Sequence, residues 1–363
     1  MSRLYIGIMS GTSLDGIDLA LCKIDSTKCE LLHSYEHPFS TPLKEEILEI
    51  IHSTTTLKKI GELDVKLGLH YLEAIEEFFS STLQGYTPAD IEAIGLHGQT
   101  LWHEPHSEYP FSMQLGSASV VRSKSGIKVV NDFRSIDVAN GGEGAPFAPA
   151  FHKFLFGDMQ RNVGVLNIGG MANITLLHQT QLLGWDSGCG NVLLDMHISK
   201  SQNLPYDRDG AFAKSGNVIE ELLRVMLADE YFTKEPPKST GREYFNASWL
   251  KKKLKGFKNL KSEDIQRTLL ELSAKSIAND LKTTEVELLI VCGGGSKNSF
   301  LMQRLQELTQ IEVQKSDTFG VSSDFLEAMA FAWLAHKRIV KEVVELSSVT
   351  GAKKNSILGA LYE

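Results

Sequence analysis

The chain has 363 residues, of which 42% are hydrophobic and 23% are charged, and its formal net charge is -8. The length favours two domains over one, and the acidic balance argues against a nucleic-acid partner because no basic excess is available to neutralise phosphates. Four cysteines without Cys-x-x-Cys spacing suggest neither a zinc site nor a disulfide framework. Since no apolar run reaches about 18 residues and a strand begins close to Met1, we expect a cytoplasmic protein with no membrane segment.

The chain opens with a glycine-rich loop between two strand-like runs, Tyr5 to Met9 and Ile17 to Ile24. The candidate ligand-binding residues of this loop are Gly11, Thr12, Ser13, Leu14, Asp15, Gly16, Ile17 and Asp18. Backbone amides and hydroxyls there suit phosphate oxygens, and Asp15 and Asp18 would then need a divalent cation between them and the phosphates. An ordinary hairpin turn is the alternative. A second strand follows where a Walker loop would need a helix, and a strand, phosphate loop, strand order is similar to the actin, hexokinase and sugar kinase superfamily. That similarity predicts a second hairpin near mid-chain.

The chain then alternates predicted strands and helices. In order, these are a strand over Glu30 to His37, helices over Pro42 to Ser53 (capped by Thr41) and Ile60 to Leu83, a strand over Ala93 to Leu96, a helix over Val120 to Ser125 and a strand over Gly126 to Val130. His97 and Gln99 follow the strand Ala93 to Leu96, and ligands of parallel α/β sheets bind at such carboxyl ends. The glycine-rich loop 141–146 is the expected domain boundary, and Phe147 to Phe156 is an expected helix.

The predicted second hairpin comes next. Its strands are Gly164 to Ile168 and Ala172 to Leu177, and Gly169 and Gly170 lie at the turn. A further glycine-rich stretch, 182–191, contains Asp186 and precedes an apolar helix whose N-terminus would point at an anion. Later elements are a helix over Ser262 to Leu281, a strand over Leu288 to Val291, the loop Gly293, Gly294 and Gly295, and a helix over Phe325 to Val340.

Five motifs together resemble one family. They are Gly11 to Asp18, His97 to Thr100, Asp132 to Arg134, Asn167 to Thr175 and Cys292 to Gly295. In this order they strongly resemble the anhydro-N-acetylmuramic acid kinases, and the resemblance covers essentially the whole chain. Two places depart from the family pattern. Asp186-Ser187-Gly188-Cys189-Gly190-Asn191 lacks the proline that stiffens this loop, and Ser322-Ser323-Asp324 stands where a proline pair precedes the aspartate.

The resemblance implies an α/β fold of two actin/hexokinase-like (ribonuclease H-like) domains, with mixed sheets flanked by helices and an ATP cleft between them. We place the domains at 1–140, completed by 341–363, and at 141–340. The implied reaction uses ATP and water to open 1,6-anhydro-N-acetylmuramic acid and phosphorylate O6, giving N-acetylmuramic acid 6-phosphate in cell-wall recycling. The family also suggests a homodimer.

The resemblance carries over to individual residues of this chain. Asp186 matches the general base, while Glu327 matches a carboxylate near the sugar. Arg134 suits the lactyl carboxylate, and His97 and Gln99 suit sugar hydroxyls. The nucleotide-binding set comprises the N-terminal loop together with Asn167, Gly169, Gly170, Asn173, Gly293, Gly294 and Gly295, and Asp15 or Asp18 would hold Mg²⁺ through water.

Each candidate residue also has a structural interpretation. Asp186 could cap a helix, Glu327 could offset a helix dipole, and Arg134 could pair with Asp132 or Asp137. Asn167 and Asn173 could merely brace the hairpin. His97, His103 and His106 could form a metal cluster, although surface histidines are the preferred interpretation because of the intervening Pro105.

Three other functions compete with the anhydro-sugar kinase. A conventional sugar or acyl-phosphate kinase of the same fold would need no water at carbon one. A non-catalytic ATP switch would need a partner-binding segment, for which the chain has no spare stretch. A catalytically inactive sensor of muropeptide sugars is suggested by Cys189, but the retained Asp186 argues against it.

Overall fold

The structure is a computed structural model that describes residues 2–11, 14, 16–177, 182–236 and 238–363. It divides into two compact units. The first comprises Met1–Leu155 and Phe325–Glu363, and the second comprises Phe156–Asp324. Within the described ranges, no helix is both long enough and apolar enough to cross a membrane.

The strands of the described chain form two large sheets and one separate hairpin. In chain order they are β1 (Arg3–Ser10), β2 (Gly16–Ile24), β3 (Cys29–Pro38), β4 (Ile91–Leu96), β5 (Gln99–Glu104), β6 (Phe111–Leu115), β7 (Val129–Asn131), β8 (Val163–Ile168), β9 (Met171–Leu177), β10 (Leu182–Cys189), β11 (Leu288–Cys292), β12 (Glu312–Lys315) and β13 (Ala360–Tyr362).

Helices connect and cover these strands. They are α1 (Thr41–His52), α2 (Leu57–Ser81), α3 (Ala118–Ser125), α4 (Ser135–Ala139), α5 (Ala148–Phe156), α6 (Val192–Gln202), α7 (Ala211–Ser215), α8 (Glu220–Leu227), α9 (Ala247–Leu254), α10 (Ser262–Leu281), α11 (Ser299–Thr309), α12 (Leu326–Val340) and α13 (Ser347–Thr350). Short 3-10 helices cover Pro88–Asp90, Arg208–Gly210, Glu230–Thr233, Gly294–Lys297 and Ser316–Phe319.

The two large sheets repeat one topology. The sheet of the first unit has the order β13-β7-β4-β1-β2-β3, and that of the second has the order β10-β9-β8-β11-β12. In each, three consecutive antiparallel strands begin the unit, and the first of them also pairs in parallel with a later strand. A further parallel strand extends each sheet. The predicted fold class, two α/β domains with mixed sheets flanked by helices, is confirmed.

Helix α12 packs directly on the sheet of the first unit, against β1, β2 and β4. The approach is close because glycines face the helix. A Cβ atom at Gly7 would overlap the backbone oxygen of Ala328, and one at Gly95 would overlap that of Phe331. The helix itself is rich in alanine, so backbone meets backbone over this contact. On the other side of the sheet, α2 contributes a row of buried apolar side chains to the core.

The core of the second unit surrounds helix α10. Twelve of its twenty residues are buried, including the polar Gln266 and Glu271. Glu271 forms ion pairs with Arg267 at 2.7 Å and with Arg304 at 2.8 Å, so this buried carboxylate has cationic partners. Strand β11 is buried along its whole length, as expected of a central parallel strand.

Three features differ from the sequence-based expectations. The units divide after Leu155 and after Asp324 and not at the expected 140 and 340. The second boundary comes earlier than expected because α12 packs with the first unit. The cap of α1 is Ser40, whose side chain accepts from the Leu43 amide, while Thr41 is already helical. The stretch around Asp186 is the strand β10 and not an open loop.

Candidate active site

His97 lies directly after β4 in the first unit and is 5% exposed. Its Nε2 lies 2.9 Å from Nη2 of Arg134, and because guanidinium can only donate, Nε2 accepts this hydrogen bond. Burial lowers the pKa of His97 to about 3, and the charge of Arg134 acts in the same direction. The imidazole is therefore neutral at physiological pH. Its Nδ1 is buried without a hydrogen-bond partner among the described residues.

Arg134 follows the short strand β7 and is half-buried. Besides its bond to His97, it donates from Nη1 to the carbonyl oxygen of Gly144 at 3.2 Å. Loss of hydration lowers the pKa of Arg134 to about 10, although the carboxylate of Glu327 offsets part of this effect. The guanidinium therefore remains charged at neutral pH. The suggested structural partners are engaged elsewhere. Asp132 accepts from Ser135, and Asp137 accepts from Gly144 and Thr350.

Glu327 lies in the first turn of α12. Loss of hydration raises its pKa, while the positive charge of Arg134 lowers it. Glu327, Arg134 and His97 thus form one electrostatically linked group in the first unit, as the sequence analysis had grouped them. The helix position agrees with the dipole interpretation, but the coupling to Arg134 gives the carboxylate a second partner.

Gln99 begins β5 and is fully buried. Its amide nitrogen donates to the carbonyl oxygen of Gly11 at 3.3 Å, so it touches the N-terminal loop. Leu14 in that loop has the left-handed φ of 57° and donates from its amide to Gly11 at 3.2 Å. Asp18 is half-buried on β2, opposite Met9. The candidates Thr12, Ser13 and Asp15 lie outside the described residues.

A cavity of about 250 Å³ adjoins His97 in the first unit. Sequence reasoning missed several of its lining residues, which come from the β5–β6 hairpin and from the end of β7. They include Ser112, Gln114 and Asn131, while Asp132, which belongs to one of the five motifs, also lines the cavity. The Oδ1 atom of Asn131 is buried and has no partner among the described residues. The cavity therefore offers polar groups to a small ligand beside the neutral imidazole.

In the second unit, three candidate residues lie side by side across adjacent strands. Asn167 on β8 pairs with Asn173 on β9, and Asn173 pairs in turn with Asp186 on β10. The register shifts immediately after Asp186, between it and Gly188. The sheet therefore presents two amides and one carboxylate in a row at the end of these strands.

Two donors hold one oxygen of the Asp186 carboxylate. Its Oδ2 accepts from the backbone N–H of Thr240 at 3.0 Å and from the Ser239 hydroxyl at 3.2 Å. Burial raises the pKa of Asp186, and these two hydrogen bonds lower it in part. The backbone is fixed by bonds to Lys238 and Tyr231. Asp186 does not cap α6, whose N-cap is Asn191, so the capping interpretation is wrong.

The glycine turns of this unit meet at the same end of the sheet. The amides of Gly190 and Asn191 donate to the carbonyls of Gly170 and Gly169, both at 2.9 Å, which ties the β10–α6 connection to the β8–β9 turn. Gly293, with a φ of 77°, directly follows β11, and a Cβ there would overlap the side-chain oxygen of Asn167. The structure thus brings Asn167, Gly169, Gly170 and Gly293 together.

A second cavity of about 500 Å³ lies beside these turns. Its lining includes Asn191, Asp195, Tyr206, Gly294 and Lys297. Burial raises the pKa of Asp195 to about 6, while Arg242 lowers it. Sequence reasoning missed Asp195, Tyr206 and Lys297, because they lie in helical or irregular segments without a motif.

Comparison with known proteins decides the family. The family model described as "Anhydro-N-acetylmuramic acid kinase" matches residues 3–363. The chain belongs to the anhydro-N-acetylmuramic acid kinase family. The match spans both units and every candidate residue named above, so the recognition made from the five motifs is confirmed. Membership of this family makes the chain a kinase.

Curated relatives agree with this family over almost their whole lengths. The anhydro-N-acetylmuramic acid kinase of Sulfurimonas denitrificans is 58% identical and covers 100% of both chains. The enzyme of the same name from a Sulfurovum species is 52% identical, over 99% of this chain and 98% of its own. That of Pasteurella multocida is 47% identical, over 99% and 96%.

Solved structures are more distant. The activator of 2-hydroxyisocaproyl-CoA dehydratase from Clostridium difficile, with bound ADPNP, has a TM-score of 0.47 at 13% identity and covers 94% of this chain and 96% of its own. A ROK family glucokinase from Streptomyces griseus, in complex with glucose and AMPPNP, has a TM-score of 0.43 at 13% identity, over 92% and 99%. Likenesses this low support no argument about function.

Proposed function

We infer that this chain uses ATP and water to convert 1,6-anhydro-N-acetylmuramic acid into N-acetylmuramic acid 6-phosphate and ADP, a step of cell-wall recycling. The observation that carries the proposal is the family match over residues 3–363. We assign the general base to the half-buried Asp186 because its motif resembles that of the family. The reaction breaks the bond between carbon one and O6, forms a carbon-one hydroxyl from water, and transfers the γ-phosphoryl group from ATP to O6, which leaves ADP.

Asp186 is proposed to take the proton of the attacking water. Its Oδ2 is occupied by the Thr240 amide and the Ser239 hydroxyl, which orient the carboxylate and leave Oδ1 to face the water. A base must be ionised yet not strongly stabilised as the anion. Asp186 meets this condition because burial raises its pKa, while the hydrogen bonds from Thr240 and Ser239 lower it in part. One carboxylate is sufficient, since the leaving oxygen is captured by phosphorus and needs no general acid.

The first unit is proposed to bind the sugar through His97, Gln99, Arg134 and Glu327. Arg134 keeps its charge and can pair with the lactyl carboxylate. Neutral His97 accepts from Arg134 and has an unpartnered buried Nδ1, which suits it to donate to a sugar oxygen. The cavity beside His97, with Ser112, Gln114 and Asn131, is proposed to hold the amino-sugar ring.

The glycine turns are proposed to bind the phosphates of ATP, through Gly11 to Asp18 in one unit and through Asn167, Gly169, Gly170, Asn173 and Gly293 to Gly295 in the other. The cavity lined by Asp195, Tyr206 and Lys297 adjoins Gly294, and we assign it to the nucleoside. Mg²⁺, when bound, neutralises phosphate charge. The half-buried carboxylate of Asp18 fits a metal-bound water, because Mg²⁺ prefers oxygen ligands and keeps part of its hydration shell. Asp15 is the second candidate for this role.

Product analysis in oxygen-18 water tests the reaction and the base together. The sugar, ATP and magnesium are incubated with wild type, with Asp186→Asn and with Asp158→Asn, whose carboxylate is exposed in the same unit. We expect a phosphorylated sugar with heavy oxygen at carbon one from wild type and from the Asp158 variant. An asparagine at position 186 can still accept from Thr240, so the fold is retained while turnover falls by about 10² to 10⁴.

A different outcome would redirect the assignment. Phosphorylated product without heavy oxygen would favour a conventional sugar kinase, and binding without turnover would favour a sensor. We further propose a cytoplasmic homodimer, as the family suggests. Sedimentation of the purified chain would test the oligomeric state, and fractionation of cells would test the location.

A further inference from the structure

Two histidines of the first unit form a cluster that uses none of the groups assigned above. His37 lies near the end of β3, the edge strand of the sheet, and His70 lies on α2. Their ring centroids are 4.7 Å apart, and the rings are inclined by 60°. The side chain of His37 is 6% exposed and that of His70 is 10% exposed. Both rings are therefore removed from water and face each other across the contact between strand and helix.

Carboxylates on α2 hold one nitrogen of each ring. Oε2 of Glu77 lies 2.9 Å from Nδ1 of His37, and Oε2 of Glu73 lies 3.1 Å from Nδ1 of His70. Tyr35 donates to the same Glu77 oxygen at 2.9 Å. His70, Glu73 and Glu77 are spaced three and four residues apart, so they share one face of the helix.

The remaining nitrogen of each ring lacks a partner. Nε2 of His37 and Nε2 of His70 are both buried, and neither has a hydrogen-bond partner within the described part of the chain. A carboxylate at Nδ1 favours the tautomer with the proton there, so each Nε2 carries a lone pair. An unpartnered buried nitrogen costs free energy, and two of them in contacting rings need a physical explanation. A bound cation would supply one.

The ligand atoms are close enough to share one ion. One donor atom from each of His37, His70 and Glu73 can be chosen so that all three lie within 4.8 Å of one another. A tetrahedral ion with bonds of about 2.0 to 2.2 Å needs ligands roughly 3.3 Å apart. Side-chain rotation of the exposed Glu73 and of the helix-borne His70 can supply this contraction. Nitrogen ligands disfavour Mg²⁺ and Ca²⁺ and favour borderline ions such as Zn²⁺.

We propose that His37, His70 and Glu73 bind one divalent transition-metal ion, with Zn²⁺ the best fit, and that Glu77 orients His37 for this role. Water would complete the coordination, and the four cysteines take no part. The ion would join the edge strand β3 to helix α2 and so brace the first unit. This site is separate in chemistry from the Mg²⁺ expected with ATP, because it offers two nitrogen ligands.

Metal retention by the untagged full-length chain tests the proposal. The protein is stripped with a chelator, incubated with Zn²⁺, passed over a gel-filtration column and assayed for zinc. Co²⁺ is added in parallel, because its visible absorption reports nitrogen and oxygen coordination. We expect one equivalent of Zn²⁺ per chain and a rise in melting temperature on loading, since an ion that binds only the folded chain stabilises it.

Variants distinguish this site from adventitious binding. His70→Gln combined with Glu73→Gln should abolish retention, and Glu77→Gln should weaken binding by about 10-fold to 100-fold. Glu76→Gln, an exposed neighbour on the same helix, is the matched control and should bind like wild type. Glu73→Gln alone tests the site if the histidine variant fails to fold, because Glu73 is exposed. No retained zinc in wild type, or equal retention by the double variant, would overturn the proposal.

Discussion

Substitution of Gly95 by alanine tests how α12 is positioned. The added Cβ would overlap the carbonyl oxygen of Phe331 and lie 2.7 Å from its carbonyl carbon and 3.2 Å from Cβ of Ala335. The obstacle is helix backbone, which cannot rotate away as a side chain can. To restore ordinary carbon contacts of about 3.5 Å, α12 must move from the sheet by about 1 Å.

The expected loss of stability follows from this geometry. Overpacking of a well-packed core costs about 1 to 3 kcal/mol, and a rigid backbone obstacle places Gly95→Ala at the upper end. The lower chain entropy of alanine offsets about 0.5 to 1 kcal/mol of that cost. We therefore expect a net destabilisation of about 2 kcal/mol. Because Glu327 is in the first turn of α12, the KM for the sugar should rise as well.

Urea denaturation followed by far-ultraviolet circular dichroism measures the change. Gly61→Ala is the control, because a Cβ at this exposed position in α2 meets nothing within 4 Å. Alanine there should stabilise the protein by about 0.5 to 1 kcal/mol. If Gly95→Ala were as stable as wild type, the close packing of α12 on β4 would be refuted, together with the reason for glycine at this position.

Three further predictions concern the candidate site. Ser239→Ala removes a donor that stabilises ionised Asp186, so the pKa of Asp186 should rise. The acidic limb of the profile of kcat/KM against pH should then move to higher pH. An unmoved limb would contradict Asp186 as the base. Burial lowers the pKa of His97 to about 3 in the folded chain. Below about pH 6.5 a proton therefore binds this imidazole only in the unfolded chain, so the free energy of unfolding falls as the pH falls. At pH 5.5 this one group should lower the unfolding free energy by about 1.4 kcal/mol relative to pH 7.5, and His97→Gln should lose that increment in urea titrations at the two pH values. In Arg134→Lys, the lysine ammonium cannot reproduce the paired hydrogen bonds of a guanidinium. The KM for the sugar should rise by about 10-fold to 100-fold, while the KM for ATP stays unchanged. Equal effects on both KM values would indicate a structural role for Arg134.

The regular elements were largely predictable, because their patterns are local. Helix α10 begins and ends at the residues expected from its apolar periodicity, Ser262 and Leu281. Both hairpins were also expected from alternating apolar runs around glycine-rich turns. In these segments the side chains that pack on the core occur at the period of the element itself, so the sequence reports the structure directly.

Strand β10 and the β5–β6 hairpin were harder to predict. Strand β10 contains Gly184 and Gly188, which are unfavourable in strands, and it forms because β9 supplies a complete pairing edge. The pairing of β5 with β6 depends on residues about ten positions apart, without a two-residue turn signal. The cavity residues Asp195 and Asn131 come from still more distant segments. Each lies beside its own cavity, Asn131 in the first unit and Asp195 in the second, only through the tertiary structure of that unit, which no local pattern encodes.

The division of the first unit between Met1–Leu155 and Phe325–Glu363 has a consequence for how the chain folds. The sheet of this unit needs α12 on one face and β13 at its edge, so it cannot be completed until both of these elements have been synthesised. The second unit, Phe156–Asp324, is continuous and has its own core. Because domains generally fold as units during synthesis, we expect the second unit to reach its native structure before the first. Strands β1, β2 and β4 would then lack their contacts with α12 for most of translation, so their apolar side chains would stay exposed longer than those of the second unit.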